Sequence, residues 1–587
     1  MSNKEYWNPE NPWGHELIVN RLLEEGVEYI FALTGGHILA VLNAAHEKGI
    51  NVVSSRTEDG AVLAATGYAL ATGKVGVAAF GAGMIPMAIN GACNAAMGQV
   101  PVVIISGAER SDADDRKMVQ GSDVLPFARA SYCKSAYHVT KWARIPDMIS
   151  RAFQDATTGT PGCTFIDIPK DIMVSRGDPA EFETYPFTRT SARSAGDPED
   201  IARAVELLAD ARRPAVLVDR QAHAADVGDE IKRFVELTGI PVEKDFGTLG
   251  ESPCNLGAVG LFPMAADADV VLVLGRVAQS LKGSATALPY TGKLIYVYTE
   301  PEDIGRCNDV EVAVAGNTKL VLQQLISGLE ELDLPDHSGW VRELIGRREK
   351  AAEQFRGMGE QFRTHAPVHP AFIAGESVQW MVDHNLHKEA NRVEDGGDSL
   401  IWWWNALSNS GIPQQRPAQA ISIGSLAYSF GAVGSGPALA VGMVCARPGE
   451  FLLMPSMGDG SIGYHMAELE TIGRLGAHGV MIMYNNSCWA MVYSNQRNIW
   501  GREATPGSFF APGVRYDRMA EGLGWAKGEH VAEPGELRPA LDRAYERAME
   551  ERKMVMVNVE TEANAFLLGM TMKMPQTEAG EDYLPGT

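Results

Sequence analysis

Met454–Trp489 reads MPSMGDGSIGYHMAELETIGRLGAHGVMIMYNNSCW, and its reading decides the fold. It is entered by an apolar run, Phe451 to Met454, of the kind that ends a buried strand. Gly458-Asp459-Gly460 then predicts a turn in which the glycines allow close backbone approach and only the Asp offers charge. Met466, Leu469, Ile472 and Leu475 are spaced to line one face of a following helix. A second buried strand, Val480 to Tyr484, ends at Asn485-Asn486. The whole is a β-α-β unit, and in such a unit both strand ends open on one edge of a parallel sheet. Asp459 and Asn486, 27 residues apart in sequence, are therefore expected to meet.

An Asp carboxylate, an Asn amide oxygen and a backbone carbonyl are hard oxygen donors. They suit Mg²⁺, which takes few protein ligands and completes its shell with phosphate oxygens. Asp-Gly alone would signify no more than a polar rim on the unit. The ordered set of Gly-Asp-Gly, helix and Asn-Asn is far more specific.

Outward from this stretch, 587 residues point to several domains, three or four at roughly 150 residues each. An apolar content of 45%, with 61 Gly and 31 Pro, fits a turn-rich α/β enzyme rather than a fibrous or disordered chain. The net charge of −23 disfavours nucleic acid and anionic membrane as partners and says little about a small-molecule substrate. No run of about 18 uncharged apolar residues predicts a membrane span. The N-terminus lacks the basic-then-apolar order of a signal peptide. The seven cysteines are scattered and form no CxxC pair, so reduced thiols and a cytoplasmic location are expected, without a zinc site.

From residue 15 to 110 helix and strand signals alternate, which means a parallel sheet wrapped by helices. The expected blocks are residues 1–185, 198–345 and 370–575, with a loose acidic tail at 576–587. Strands Ala215 to Val218, Val270 to Leu274 and Leu294 to Tyr298 mark the middle block, and Met554 to Val559 closes the last. The first and third blocks are two similar α/β halves.

The Gly-Asp-Gly to Asn-Asn stretch resembles the diphosphate-binding motif of thiamine-diphosphate (ThDP) enzymes. The resemblance extends over roughly residues 13–570, to enzymes of the acetolactate synthase and benzaldehyde lyase type. It implies an α/β fold of three domains, pyrimidine-binding, central and diphosphate-binding, each a parallel sheet with helices on both faces. It implies ThDP and Mg²⁺ as cofactors, the metal held by Asp459, Asn486 and the Cys488 carbonyl. Gly458, Gly460, Ser461 and Trp489 flank those ligands. Gly396 and Gly397, before the helix predicted from Ser399, can cradle phosphate oxygens, although by themselves they suit a turn with a helix cap equally well. Gly424 and Leu426 resemble the segment whose bulky aliphatic residue props the cofactor in its bent shape.

In the first block Glu58, just past a strand, matches the Glu that hydrogen-bonds the aminopyrimidine ring and so promotes loss of the thiazolium C2 proton. By itself the position also suits an ordinary carboxylate at a helix N-terminus. The run Leu33 to Ile38, with Gly36 and His37, resembles the His-bearing loop of benzaldehyde lyase, and Gln120 matches its Gln-bearing segment. There the two move protons around the substrate hydroxyl. Imidazole suits that task at neutral pH, and an amide supplies donor and acceptor without charge. Met491 departs from the lyase, which has a smaller residue there; by the resemblance it would line the substrate pocket and narrow it, which speaks against an aromatic aldehyde. Trp402-Trp403-Trp404 reads chiefly as packing, with room for one ring near the pocket. No intact Gly-x-Gly-x-x-Gly follows Ala215 to Val218, so FAD is not expected.

The leading expectation is a ThDP lyase or carboligase acting on 2-hydroxy ketones and aldehydes. The alternatives are 2-oxo acid decarboxylation with ligation, as in acetolactate synthases, and 2-hydroxyacyl-CoA cleavage. Because Glu58 and Asp459 come from different chains in this family, the resemblance implies a homo-oligomer with its active site at the subunit interface. A dimer is the minimum, and a tetramer is expected.

Overall fold

The computed structural model describes residues 10–113, 116, 118–184, 187–218, 227–243, 249, 252–256, 265–275, 290–305, 309–410, 412, 419–423, 430–500 and 506–565. It contains three wholly parallel sheets. The first holds β1 (Tyr29–Ala32), β2 (Asn51–Ser54), β3 (Gly76–Phe80), β4 (Val102–Ala108), β5 (Ser135–His138) and β6 (Cys163–Pro169), in the order β2-β1-β3-β4-β6-β5. The second holds β7 (Pro214–Val218), β8 (Val242–Glu243), β9 (Val270–Leu274), β10 (Lys293–Tyr298) and β11 (Val312–Ala315), in the order β11-β10-β9-β7-β8. The third holds β12 (Asn391–Glu394), β13 (Ala420–Ser422), β14 (Phe451–Gly458), β15 (His478–Asn485), β16 (Glu529–Val531) and β17 (Met554–Glu560), in the order β13-β12-β14-β15-β17-β16. Strand for strand, the first and third orders are the same.

Parallel strands are joined by helical crossovers that cover the sheet, so their residues are buried on both sides. β3, β4, β6 and β9 are buried at every position. In the second sheet Val216, Leu272, Leu274, Ile295 and Val297 enter one apolar cluster, and Ala215, Leu217, Val271, Val273 and Tyr296 enter another. Neighbouring residues on a strand point to opposite faces, so both faces of this sheet are packed.

The chain divides into two compact units, one of Met1–Ala192, Ser429–Glu450 and Tyr464–Ala477, the other of the remainder. In the first unit the Gly436–Ala446 helix lies tight against the Glu58–Thr72 helix. A β-carbon at Gly67 would collide with the Leu439 carbonyl oxygen, and one at Gly442 with the Ala64 carbonyl oxygen. Two glycines thus let the helix that begins at Glu58 approach its neighbour backbone to backbone.

The central motif departs from expectation in detail. β14 runs through to Gly458 and passes at Asp459 directly into a helix, with no separate turn. The segment expected as one helix is two, Asp459–His465 and Glu468–Arg474, with Leu469 and Ile472 buried and Met466 and Leu475 only partly so. Pro455 brings no N–H to the ladder, and the β14–β15 register slips between Met454 and Met457. Beyond the slip Met457 pairs with Met483 and Gly458 with Tyr484. The two strands therefore end side by side, as a β-α-β unit requires. Among the described residues no helix is long and apolar enough to cross a membrane.

Candidate active site

Glu58 is the first residue of the Glu58–Thr72 helix rather than preceding a helix from Ala61. Thr57 caps that helix, its hydroxyl accepting the Gly60 N–H at 2.8 Å. Glu58 is buried, 6% exposed, and burial raises its carboxyl above the usual range against the pull of its own backbone N–H. Its neighbours are pinned. The Arg56 N–H donates to Glu468 at 2.7 Å. Asp59 accepts from the Gly91 N–H at 2.5 Å, from Asn90 at 2.8 Å and from His465 at 3.1 Å. Glu58 thus sits on a helix start held on both flanks.

Gly36 and His37 lie in the turn between β1 and the Leu39–Glu47 helix. Gly35, His37 and Gln120 converge around Gly81, just past β3. A β-carbon at Gly81 would lie 4.0 Å from His37 Nδ1, 4.0 Å from Gln120 Oε1 and 4.0 Å from the Gly35 Cα. Gln120 holds φ +62°, unusual outside glycine, and its carbonyl occupies the space a Gly83 side chain would need. The other imidazole nitrogen, Nε2, is 2.6 Å from Glu109 Oε1, and Lys170 Nζ donates to the same oxygen at 2.8 Å. Glu109 is 8% exposed, and Lys170 first, then His37, hold its carboxyl down at about 2. The structure brings His37 and Gln120 together and adds a carboxylate and an ammonium behind them.

In the other unit Asp459 and the turn after β15 meet. Asp459 Oδ2 accepts the Ser487 N–H at 2.5 Å and Oδ1 the Gly460 N–H at 2.8 Å. Asn486 Oδ1 accepts the Cys488 N–H at 3.1 Å, across Ser487 at φ +56°. Burial pushes the Asp459 carboxyl up to about 7. Backbone N–H groups oppose that shift, and among the described residues no cationic side chain does. The Cys488 thiol is likewise pushed up to about 12, by burial first and then by Asp459, so its backbone carbonyl and not its sulfur is the available donor.

Gly396 and Gly397 approach the same strand end. Gly396 holds φ +125°, and a β-carbon on it would strike the Ser399 hydroxyl. That hydroxyl donates to the Ser456 carbonyl at 2.8 Å, and the Ser456 hydroxyl to the Asp395 carbonyl at 3.1 Å, so the β14 slip is laced to the glycine loop. The helix after it starts at Asp398 rather than Ser399. Ser461 spends its hydroxyl on Gly458, accepting its N–H at 3.2 Å and donating to its carbonyl at 2.9 Å. The Trp489 ring covers the spot a Gly460 side chain would fill, edge-on to Phe510. Met491 Cε comes within 3.3 Å of a β-carbon built on Gly397. Gly424 and Leu426 lie outside the described residues.

These groups fit a hard divalent cation with a diphosphate. Among the described residues no three His, Cys, Asp or Glu side chains gather. The donors are one buried carboxylate, one amide oxygen and one carbonyl. Such a set leaves coordination sites for phosphate oxygens.

Sequence reading passed over Glu109 and Lys170, although each directly follows the end of β4 or β6. The three tryptophans expected chiefly to pack each donate an indole N–H. Trp402 donates to Asp398 at 3.0 Å, and Trp403 and Trp404 to Glu394 at 2.9 Å each.

Comparison with known proteins agrees with this geometry. Residues 12–126 match the N-terminal TPP binding domain of thiamine pyrophosphate enzymes, 201–325 their central domain and 395–559 their C-terminal TPP binding domain. The acetolactate synthase large subunit of Haemophilus influenzae is 29% identical over 580 residues, covering 95% of this chain and 96% of the relative. The probable acetolactate synthase large subunit of Methanococcus aeolicus is 27% identical over 560 residues, 90% of each. The acetolactate synthase isozyme 3 large subunit of Escherichia coli is 26% identical over 584 residues, 95% of this chain and 96% of the relative. These names match the 2-oxo acid alternative rather than the acyloin lyase expected first. With all three domains matched, the chain belongs to the thiamine-diphosphate-dependent enzymes.

Proposed function

We propose that the chain is a ThDP- and Mg²⁺-dependent carboligase that takes a 2-oxo acid as donor and joins the carbon fragment left after decarboxylation to a second carbonyl compound. Acetolactate synthases matched over at least 90% of both chains carry this reading. When bound, ThDP supplies a nucleophilic carbon and an electron sink. Asp459, Asn486 and the Cys488 carbonyl hold the metal, and Gly396 and Gly397 face the diphosphate. Glu58, its proton favoured by burial, shares that proton with a weakly basic ring nitrogen. His37 and Gln120 move protons at the substrate oxygen, and Met491 limits the pocket. Glu58 of one copy and Asp459 of a second copy serve one cofactor, so the enzyme works as a dimer or a higher oligomer.

Acyloin cleavage is the second reading, and one observation favours it: His37 Nδ1 and Gln120 Oε1 converge on one small space, as handling of a substrate hydroxyl requires. Purified protein with ThDP and Mg²⁺ should be given pyruvate, acyloins and 2-hydroxyacyl-CoA separately. Release of CO₂ from pyruvate with a condensation product supports the first reading. Aldehyde release from acyloins without CO₂ replaces it by the second, and activity on 2-hydroxyacyl-CoA alone overturns both.

A further inference from the structure

We infer that Glu109, anchored by Lys170, is the positioning residue that keeps the His37 proton on Nε2 and presents a bare Nδ1 to the space around Gly81 as the acceptor of a substrate hydroxyl proton. A carboxylate can only accept, so the 2.6 Å contact at Nε2 places a hydrogen on that nitrogen. Lys170 keeps Glu109 ionised and leaves it no proton to offer. The tautomer is thereby fixed from behind, as a partner on the far nitrogen does for other working imidazoles. A β-carbon on Gly107 would crowd the His37 backbone and Cβ, so His37 also rests against the strand end that carries Glu109.

Charge sharpens the inference toward a substrate class. Lys170 is half-buried, and its charge is met by Glu109. Among the described residues Arg110 pairs with Asp112, and Asp171 accepts from Ser111. Gly81 to Met84 and Val119 to Ser122 bring no titratable side chain. With its Nδ1 bare, the working face of His37 takes a partner that has a hydrogen to donate. An acyloin, or the hydroxyl that forms when a carbonyl is attacked, has that chemistry. A free carboxylate does not. This substrate assignment rests on the proposed ThDP chemistry, whereas the tautomer does not.

The tautomer is tested on the full protein labelled with ¹⁵N-histidine, the His37 signals being identified by their loss in His37→Ala. At neutral pH the wild type should show hydrogen on Nε2 and none on Nδ1, and Glu109→Leu should show a mixture of tautomers. Hydrogen on Nδ1 in the wild type, or an unchanged tautomer in Glu109→Leu, would overturn the inference even if the enzyme's substrate is not the one proposed. The split between kcat and KM gives a second reading. Glu109→Gln and Lys170→Met should both lose kcat, Glu109→Gln by roughly a hundredfold or more, with KM little changed. An unchanged kcat in Glu109→Gln, or a loss confined to KM, would reduce the cluster to a structural ion pair.

Discussion

At the scale of single residues, what the sequence revealed were side chains standing just past strand ends. Glu58, His37, Asp459 and Asn486 each follow an apolar run, and the alternation of elements places all such ends on sheet edges. Glu109 follows one too, but beside Arg110 it looks like one half of a surface charge pair, and only the fold shows it facing His37. Replacing Glu58 by Ala should nearly abolish turnover while ThDP still binds, as followed by cofactor-induced thermal stabilisation. Undiminished turnover would remove Glu58 from the chemistry. Glu109 also predicts a pH dependence. Its folded carboxyl lies at about 2, below an ordinary value near 4.5. A depressed carboxyl binds fewer protons folded than unfolded, so it contributes stability fully above about 4.5 and loses it as pH falls toward 2. Thermal melts should therefore place wild type above Glu109→Gln at pH 7, with the gap closing between pH 4.5 and the acid limit of folding. A gap that widens on acidification would contradict the pairing.

Among elements, long apolar strands were legible and polar ones were not. β12 reads Asn-Arg-Val-Glu, which no apolar pattern marks, yet all four residues are buried. It survives there because Arg392 donates to Glu394 at 2.5 Å, and two indoles satisfy the same carboxylate. Glu394→Leu would strand a buried guanidinium and two N–H groups. A loss of about 3–5 kcal/mol is expected in urea unfolding. A loss below about 1 kcal/mol would show that the cluster relaxes into solvent. Gly67→Ala is a sharper trial, because propensity and packing disagree in sign. An alanine in mid-helix should add up to about 1 kcal/mol. Its β-carbon, however, meets the Leu439 carbonyl, so the melting temperature should fall. A rise would mean that the two helices can part at no cost. The slip at Pro455 was open to inference from proline alone, but the two serines that tie it to the glycine loop were not.

On the level of the whole chain, the three-sheet plan was readable because parallel sheets need strand and helix signals in alternation. The reaction was less readable, since it depends on which carbonyl compound the pocket admits. On the proposed reading that choice falls to a few side chains around one imidazole, and the Leu426 segment lies outside the described residues. Light scattering should find a dimer or larger species in active fractions, and a fully active monomer would refute the shared cofactor. The matching strand orders of the first and third sheets have a consequence for charge. β4 and β15 hold the same place, and so do β3 and β14. Beyond β3 and β4 lie Gly81 and Glu109, and beyond β14 and β15 lie Asp459 and Asn486. One copy of the plan answers its carboxylate with an ammonium built into the polypeptide, while on the proposed reading the other borrows its counter-ion from solution. A chelator should therefore disarm one half of the molecule and leave the other electrically complete.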